Sequence, residues 1–280
     1  MERSIHDESR IIQTNCHVLR NVQQPSIFQT IMNTIFAPLI AKNLILVYID
    51  DILIHALTKK QLHKMVKEVL KILWEHDLYL KPEKCQFAKQ RLSYLGYIIS
   101  SDQVQMDLIK LKGISNWPVP STIKETRKFL GFCNFYRKFI KDYVKIASPI
   151  NQLVKKNTKF IWTEEVQKAF DKLKKKFEKK PILITPDPTK LFEIFTNTSN
   201  HATGAVLTQR DDNRVQHPCF FYSKPLSPVE KYYHTSEQEF LAIIQAIQEW
   251  RHYIDGALEE TIIWTDHNNI IYWTNLTKLS

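Results

Sequence analysis

Apolar residues recur at helical spacing in several separate windows. Ile27, Phe28, Ile31, Met32, Ile35 and Phe36 follow the three-and-four rhythm of one helix face after Ser26, and the pattern halts at Pro38. A short amphipathic helix is predicted there. Leu62, Met65, Val66, Val69, Leu70 and Leu73 repeat the rhythm and predict a helix from about Lys59 to His76. Between the two, Leu44-Ile45-Leu46-Val47-Tyr48-Ile49 is followed by Asp50-Asp51 and then Ile52-Leu53-Ile54. This reads as two short buried strands joined at the aspartates. A second strand pair is expected around Cys85–Phe87 and Tyr94–Ile99.

Thr122 is a cap for a helix whose Phe129, Leu130 and Cys133 pack inward. A further helix, Thr163 to about Lys180, puts Val166, Phe170, Leu173 and Phe177 on one stripe. Its start matches a capping box only loosely, because the acids Glu164 and Glu165 fall at the first and second positions rather than the third. Beyond Pro181 the texture is strand, strand, a long helix from Ser236 to Tyr253, then the strand Thr261–Trp264. Residues 1–24 show neither periodicity nor a cap and are weakly specified. No internal repeat is visible.

With 280 residues, 44% apolar and 24% charged, the chain can bury one large core or two ordinary ones, which argues against disorder. Only 5 glycines are present, and no two lie close enough to build a phosphate-cradling loop, so Rossmann and P-loop readings fail. The net charge of +10 favours polyanionic partners, and it is unevenly spread. Arg137–Lys180 carries 14 Lys/Arg against 5 Asp/Glu, whereas Leu191–Ser280 carries 6 against 11, a swing that suggests a boundary near Pro181. Cys16, Cys85, Cys133 and Cys219 have no spacing suited to zinc or a redox dithiol, as in a reduced, intracellular protein. Apolar runs are far shorter than the roughly 20 residues of a membrane helix, and Met1-Glu2-Arg3-Ser4 lacks a signal-peptide core. The expectation is a cytoplasmic or nuclear protein without a membrane partner.

Adjacent carboxylates between apolar strands repel each other when partly desolvated, and a divalent cation resolves that repulsion. A surface turn, where Asp is common, is the other reading of Asp50 and Asp51. The flanking residues bear on the choice. Tyr48-Ile49-Asp50-Asp51, Lys81-Pro82-Glu83-Lys84-Cys85-Gln86-Phe87 and Tyr94-Leu95-Gly96-Tyr97 occur in order, then Trp117-Pro118 and Phe129-Leu130-Gly131-Phe132-Cys133-Asn134-Phe135-Tyr136-Arg137-Lys138. Gly204-Ala205-Val206-Leu207-Thr208-Gln209, Tyr222-Ser223-Lys224, Trp250-Arg251-His252-Tyr253 and Thr265-Asp266-His267 follow. In order and spacing, the chain from Pro25 onward resembles the reverse transcriptase of gypsy-like long-terminal-repeat retrotransposon Pol polyproteins.

The resemblance implies an α+β fold: a divergent segment over 1–24, a partial polymerase palm over 25–106, a basic helical thumb and connection over 107–180, and an α/β ribonuclease-H-like domain over 181–280. It implies RNA-directed DNA synthesis with RNA–DNA hybrid cleavage by two-metal catalysis with Mg²⁺ or Mn²⁺. Template–primer or hybrid and deoxynucleoside triphosphates are the implied partners of the intact enzyme. On this resemblance Asp50 and Asp51 hold metal on the palm hairpin, Tyr48 lies near the template–primer minor groove, Lys84 near the triphosphate, and Leu95, Gly96 and Tyr97 in the hairpin that grips the primer. Tyr136, Arg137 and Lys138 join aromatic and basic groups in a nucleic-acid surface. Glu239 and Asp266 are the implied ribonuclease H carboxylates; Glu237 is read as a solvated acid at the helix start.

Several departures from the family pattern set further expectations. Thr196-Asn197-Thr198-Ser199 stands where the family has Thr-Asp-Ala-Ser, so an amide replaces a metal-bridging acid. The family's fourth carboxylate and its upstream palm aspartate are expected to fall outside the chain, Asp7 being no substitute. Arg20 takes the place of a glycine in the loop Leu19–Pro25. The chain alone is therefore expected to be inactive, the alternative being a non-catalytic nucleic-acid-binding remnant retained by a host.

Overall fold

In a computed structural model that describes residues 10–17, 25–100, 103–179 and 182–265, the chain divides into two units, Met1–Val104 and Gln105–Ser280. The first unit begins with a strand that periodicity does not reveal. β1 (Arg10–His17) lies antiparallel to β3 (Asp51–Ala56), which in turn pairs with β2 (Ile45–Tyr48). The strand order is β2-β3-β1-β4, with β4 at Tyr79–Leu80, and β5 (Gln86–Lys89) also pairs with β1. β1 owes its extended form to these partners rather than to a pattern of its own. As the edge strand, β2 leaves Leu46 and Tyr48 half exposed, so only β3 is buried as the apolar run suggested.

α1 (Pro25–Ile35) matches its prediction, but Pro38 does not end helical structure. It sits in the first turn of α2 (Ala37–Ala41), where its missing N–H costs nothing. α3 (Lys59–Glu75) starts where Thr58 Oγ1 accepts the Gln61 N–H at 3.2 Å. Phe28, Met32, Phe36 and Leu39 from α1 and α2 pack with Leu62, Met65, Val69 and Leu73 of α3 against Ile52 and Ile54. Leu53, between those two, points to the opposite face and packs with Leu92 and Tyr94.

The stretch expected as one strand over Tyr94–Ile99 is a hairpin of β6 (Arg91–Tyr94) and β7 (Tyr97–Ser100). Its two central residues, Leu95 and Gly96, have φ of 49° and 81°. A tight turn of this kind needs positive φ at both positions, which glycine adopts freely and leucine does not. Leu95 is kept there by packing beside Leu53 and Leu92. β8 (Gln103–Met106) follows.

In the second unit α4 (Leu108–Ser115), α5 (Ile123–Phe135), α6 (Tyr143–Leu153) and α7 (Glu164–Glu178) form the helical part; α4 carries little periodic signal, and the apolar stripe Tyr143, Ile146, Ala147, Ile150 and Leu153 of α6 is interrupted by Pro149. Thr122 and Thr163 cap α5 and α7 as expected, the latter without a reciprocal acid at Val166. Phe129, Tyr136, Phe170 and Phe177 are fully or almost fully buried here. Beyond β9 (Ile182–Ile184), β10 (Glu193–Ser199), β11 (Ala202–Arg210) and β12 (Gln216–Pro225) run antiparallel to one another, so four strands precede the long helix rather than two. α8 (Thr235–Ile254) crosses over to β13 (Ile262–Trp264), which lies parallel to β10. Ile194, Leu207, Ala246 and Trp250 form the core between α8 and the sheet. Among the described residues no helix is long and apolar enough to cross a membrane.

Candidate functional site

The β2–β3 connection is the two-residue turn Ile49-Asp50, closed by the pairing of Tyr48 with Asp51. Ile49 has φ of 52°, a left-handed conformation that costs a β-branched residue roughly 1–2 kcal/mol. Such strain persists where the surroundings fix it. Gln29 on α1 does so: its Oε1 accepts the Ile49 N–H at 2.6 Å and its Nε2 donates to the Val47 carbonyl at 3.2 Å. Nothing in the local pattern singles out this glutamine, a polar residue next to the buried Phe28. Gln29→Ala should lower stability by about 1–3 kcal/mol, read as a reduced urea midpoint with unchanged slope. A loss below roughly 0.5 kcal/mol would remove Gln29 from this role.

Asp50 and Asp51 are both half-buried at the turn. Tyr94 of the neighbouring hairpin is an unforeseen member of this region. Burial raises its hydroxyl pKa first, and the negative charge of Asp51 adds to the shift. Burial likewise pushes Tyr97 up to about 12. Both phenols therefore stay protonated at neutral pH. Across the sheet, Asp51 lies opposite Asn15 of β1.

The second sheet holds two buried acids with different fates. Glu193 receives Arg210 Nε at 2.6 Å and Trp264 Nε1 at 2.9 Å, and the arginine bond is the main cause of its lowered pKa. Its oxygens are spoken for, which suits a structural ion pair. Glu239, 4% exposed on α8, accepts at Oε1 from the Thr198 backbone N–H and hydroxyl, while its buried Oε2 has no partner among the described residues. Asn197, next to Thr198, faces away from the α8 core and lines a cleft of about 280 Å³ with Asp142, Lys141, Gly204 and Tyr222. Gly204 is paired with Asn197, and a Cβ there would lie 3.9 Å from the Asp142 carboxylate. Asp142, at φ of 60° before α6, is an acid that sequence reading missed.

Two families match successive parts of the chain: reverse transcriptase (RNA-dependent DNA polymerase) over residues 22–99, and the RNase H-like domain found in reverse transcriptase over 162–263. The retrovirus-related Pol polyprotein from transposon 297 of Drosophila melanogaster is 39% identical over 93% of this chain. The transposon Tf2-3 polyprotein of Schizosaccharomyces pombe is 34% identical over 88% of it. The chain belongs to the reverse transcriptase family of transposon Pol polyproteins. It spans 24% and 18% of the length of those two relatives. The foamy viral protease-reverse transcriptase shares its fold: in complex with double-stranded DNA, TM-score 0.75 at 18% identity, over 95% of this chain and 51% of that one. In complex with RNA/DNA hybrid, the values are TM-score 0.73 and 18% identity, over 96% and 40%.

The other residues implied by the reverse transcriptase resemblance fall into different settings. Tyr48 is half exposed beside the aspartates, and Lys84 is exposed on the turn Pro82–Lys84. Leu95, Gly96 and Tyr97 occupy the β6–β7 turn. Arg137 is exposed, and Lys138 is half-buried with its ammonium 5.9 Å from the centre of the Phe220 ring. Tyr136 is the correction: it is 2% exposed and packs against Phe132 and Phe139, so no face of its ring is open to a base. Asp266, with the loop bearing Arg20, lies outside the described residues, as does Asp7.

Donor chemistry gives a mixed answer for a divalent metal. Asp50 and Asp51 are hard oxygen donors of the right kind, and the free Oε2 of Glu239 is a buried oxygen lacking a partner. Among the described residues, however, no three His, Cys, Asp or Glu side chains converge. Two ions would not be fixed by these groups alone.

Proposed function

We propose that this chain is the template–primer-holding part of a retrotransposon reverse transcriptase. RNA-directed DNA synthesis from deoxynucleoside triphosphates is then the reaction of the intact enzyme, and the chain alone neither extends primers nor cleaves hybrid. The observation that carries this reading is the composition of the two acidic sites: among the described residues, an aspartate pair without a third acid, and an amide at Asn197, the neighbour of the Thr198 that holds Glu239. Mg²⁺ or Mn²⁺ bound at Asp50 and Asp51 would polarise phosphate oxygens. The protein's own part is to hold those carboxylates on a stiff turn through Gln29, with Tyr48 and the Leu95–Tyr97 turn beside the nucleic acid and Lys84 beside the triphosphate. Positioning supplies most of the catalysis in phosphoryl transfer, so an incomplete acid set is disabling.

On this reading residues 25–106 act as palm, 107–180 as a basic thumb and connection, and 181–280 as a ribonuclease-H-like domain. A cytoplasmic or nuclear setting accords with the buried thiols of Cys133 and Cys219. Fluorescence anisotropy with a labelled RNA–DNA hybrid tests the binding. Three to four phosphate contacts should lower affinity by roughly 100-fold between 50 and 200 mM salt. Affinity flat with salt, or primer extension by the unassisted chain, would contradict the proposal. A non-catalytic remnant retained by a host gives the same binding result, and differs in that supplying the remaining Pol segments would not restore synthesis.

A further inference from the structure

α3 turns one side to the core of the Met1–Val104 unit, where Leu62, Met65, Val69 and Leu73 pack with Ile52 and Ile54 of β3. Its outward side is laid out in three lanes. Lys60, Lys64, Lys67 and Lys71 recur every three or four residues, so they stand one above another along the helix, and all four are exposed. On one flank of this lane lie Leu70, 40% exposed, and Trp74, 79% exposed. On the other lie Glu68 and Glu75, both exposed. Lys71 reaches Glu75 at 3.6 Å, but a solvated pair of this kind holds little and leaves the lysine available. Trp74 is the informative member. A helix side that merely solvates charge gains nothing from an indole left in water, whereas Trp is enriched among the residues that dominate binding at protein interfaces. The sheet also sets this surface apart from the aspartate site. Ile52 and Ile54 meet α3, while Asp51 and Leu53 alternate to the opposite face, where Leu53 packs with Leu92 and Tyr94. The outward side of α3 is therefore turned away from the face that bears Asp51, and its lane of glutamates would repel phosphates.

We propose that the outward side of α3 is a docking surface for an acidic amphipathic helix of a partner protein. Apolar residues of that helix cover Leu70 and Trp74, and its carboxylates lie opposite Lys60, Lys64, Lys67 and Lys71. Charge complementarity selects this occupant: a row of cations beside an apolar anchor matches a helix with a row of acids beside an apolar seam, and such matching fixes register. A lipid surface fits less well, because an interfacial helix inserts its apolar face, and α3 buries that face in its own core. The surface uses no residue of either acidic site, so it stands independently of the polymerase and ribonuclease readings.

The test is fluorescence anisotropy of the full chain with a fluorescein-labelled synthetic helix that carries Leu along one face and Glu along the adjoining face. Saturable binding is expected, weakened at least tenfold by Trp74→Ala and at least tenfold by Lys64→Glu/Lys67→Glu. A matching peptide with Lys in place of Glu should show the reverse order, binding the charge-reversed variant more tightly than the unmodified chain. Circular dichroism melts establish that each variant is folded; should either unfold, Trp74→Gln and Lys64→Gln/Lys67→Gln serve in their place, with at least a threefold loss expected. No saturable binding of the Glu peptide, or affinity unchanged in folded variants, would overturn the proposal. So would another occupant: phosphatidylserine vesicles or a labelled DNA strand bound more tightly than the peptide and released by the same substitutions, or self-association of the chain abolished by Trp74→Ala. Affinity for RNA–DNA hybrid should stay within twofold in Trp74→Ala, so this inference and the proposed function fail separately.

Discussion

Asn197→Asp is expected to give the chain Mg²⁺-dependent cleavage of the RNA strand of an RNA–DNA hybrid, where the unmodified chain has none above background. The substitution adds a carboxylate to the cleft lined by Asp142, Gly204 and Tyr222, one residue from the Thr198 that holds Glu239. Metal-borne stabilisation of a transition state is worth several kcal/mol, and each 1.36 kcal/mol is tenfold in rate, so a rise of at least roughly 100-fold is expected. Two further readouts keep the test informative. Without metal the added charge shares its cleft with Asp142 and should lower the melting temperature; with Mg²⁺ that loss should be reversed, by a larger shift than Mg²⁺ gives the unmodified chain. Absence of cleavage together with absence of a Mg²⁺ effect on melting would show that the amide is not what disables this site.

Tyr136→Ala should cost about 3–5 kcal/mol of stability, the range for deleting a large buried aromatic. Tyr136 meets Phe132 with ring centroids 5.1 Å apart and Phe139 at 6.3 Å, so truncation opens a hole in the packing of α5 against the following turn. Against a typical total of 5–15 kcal/mol, such a loss is a large fraction. It is measured by the urea midpoint. Hybrid affinity, taken at a temperature where the variant remains folded, should change less than twofold. A marked loss of affinity with stability intact would return Tyr136 to the nucleic-acid surface and count against its place in the core.

The capped and strongly periodic helices were legible because their signals are local. Thr58, Thr122 and Thr163 each accept a backbone N–H three residues on, and that geometry needs no partner from elsewhere in the chain. α6 is obscured in the sequence by Pro149, a residue that ordinarily ends a helix yet lies inside this one. β1 escaped because a strand's identity rests on what pairs with it. Apolar pattern alone reads Tyr94–Ile99 as continuous because Leu95 does not ordinarily take the positive φ that the turn imposes, whereas the family resemblance implies a hairpin at Leu95-Gly96-Tyr97. The aspartate pair and the Asn197 substitution were readable as residues in a motif. Their neighbours Gln29, Tyr94 and Asp142 were not, since each reaches its site from a distant segment.

The order of apolar and polar positions therefore determined the main helices, the β2–β3 apolar run and the residues able to bear chemistry, because spacing and side-chain type act over a few residues. Tertiary structure alone decided that Tyr136 is core, that Glu239 keeps one oxygen unpaired among the described residues, and that Gln29 holds the strained turn. Those outcomes depend on which distant groups come within hydrogen-bonding or Coulombic reach, and only the folded chain sets those distances.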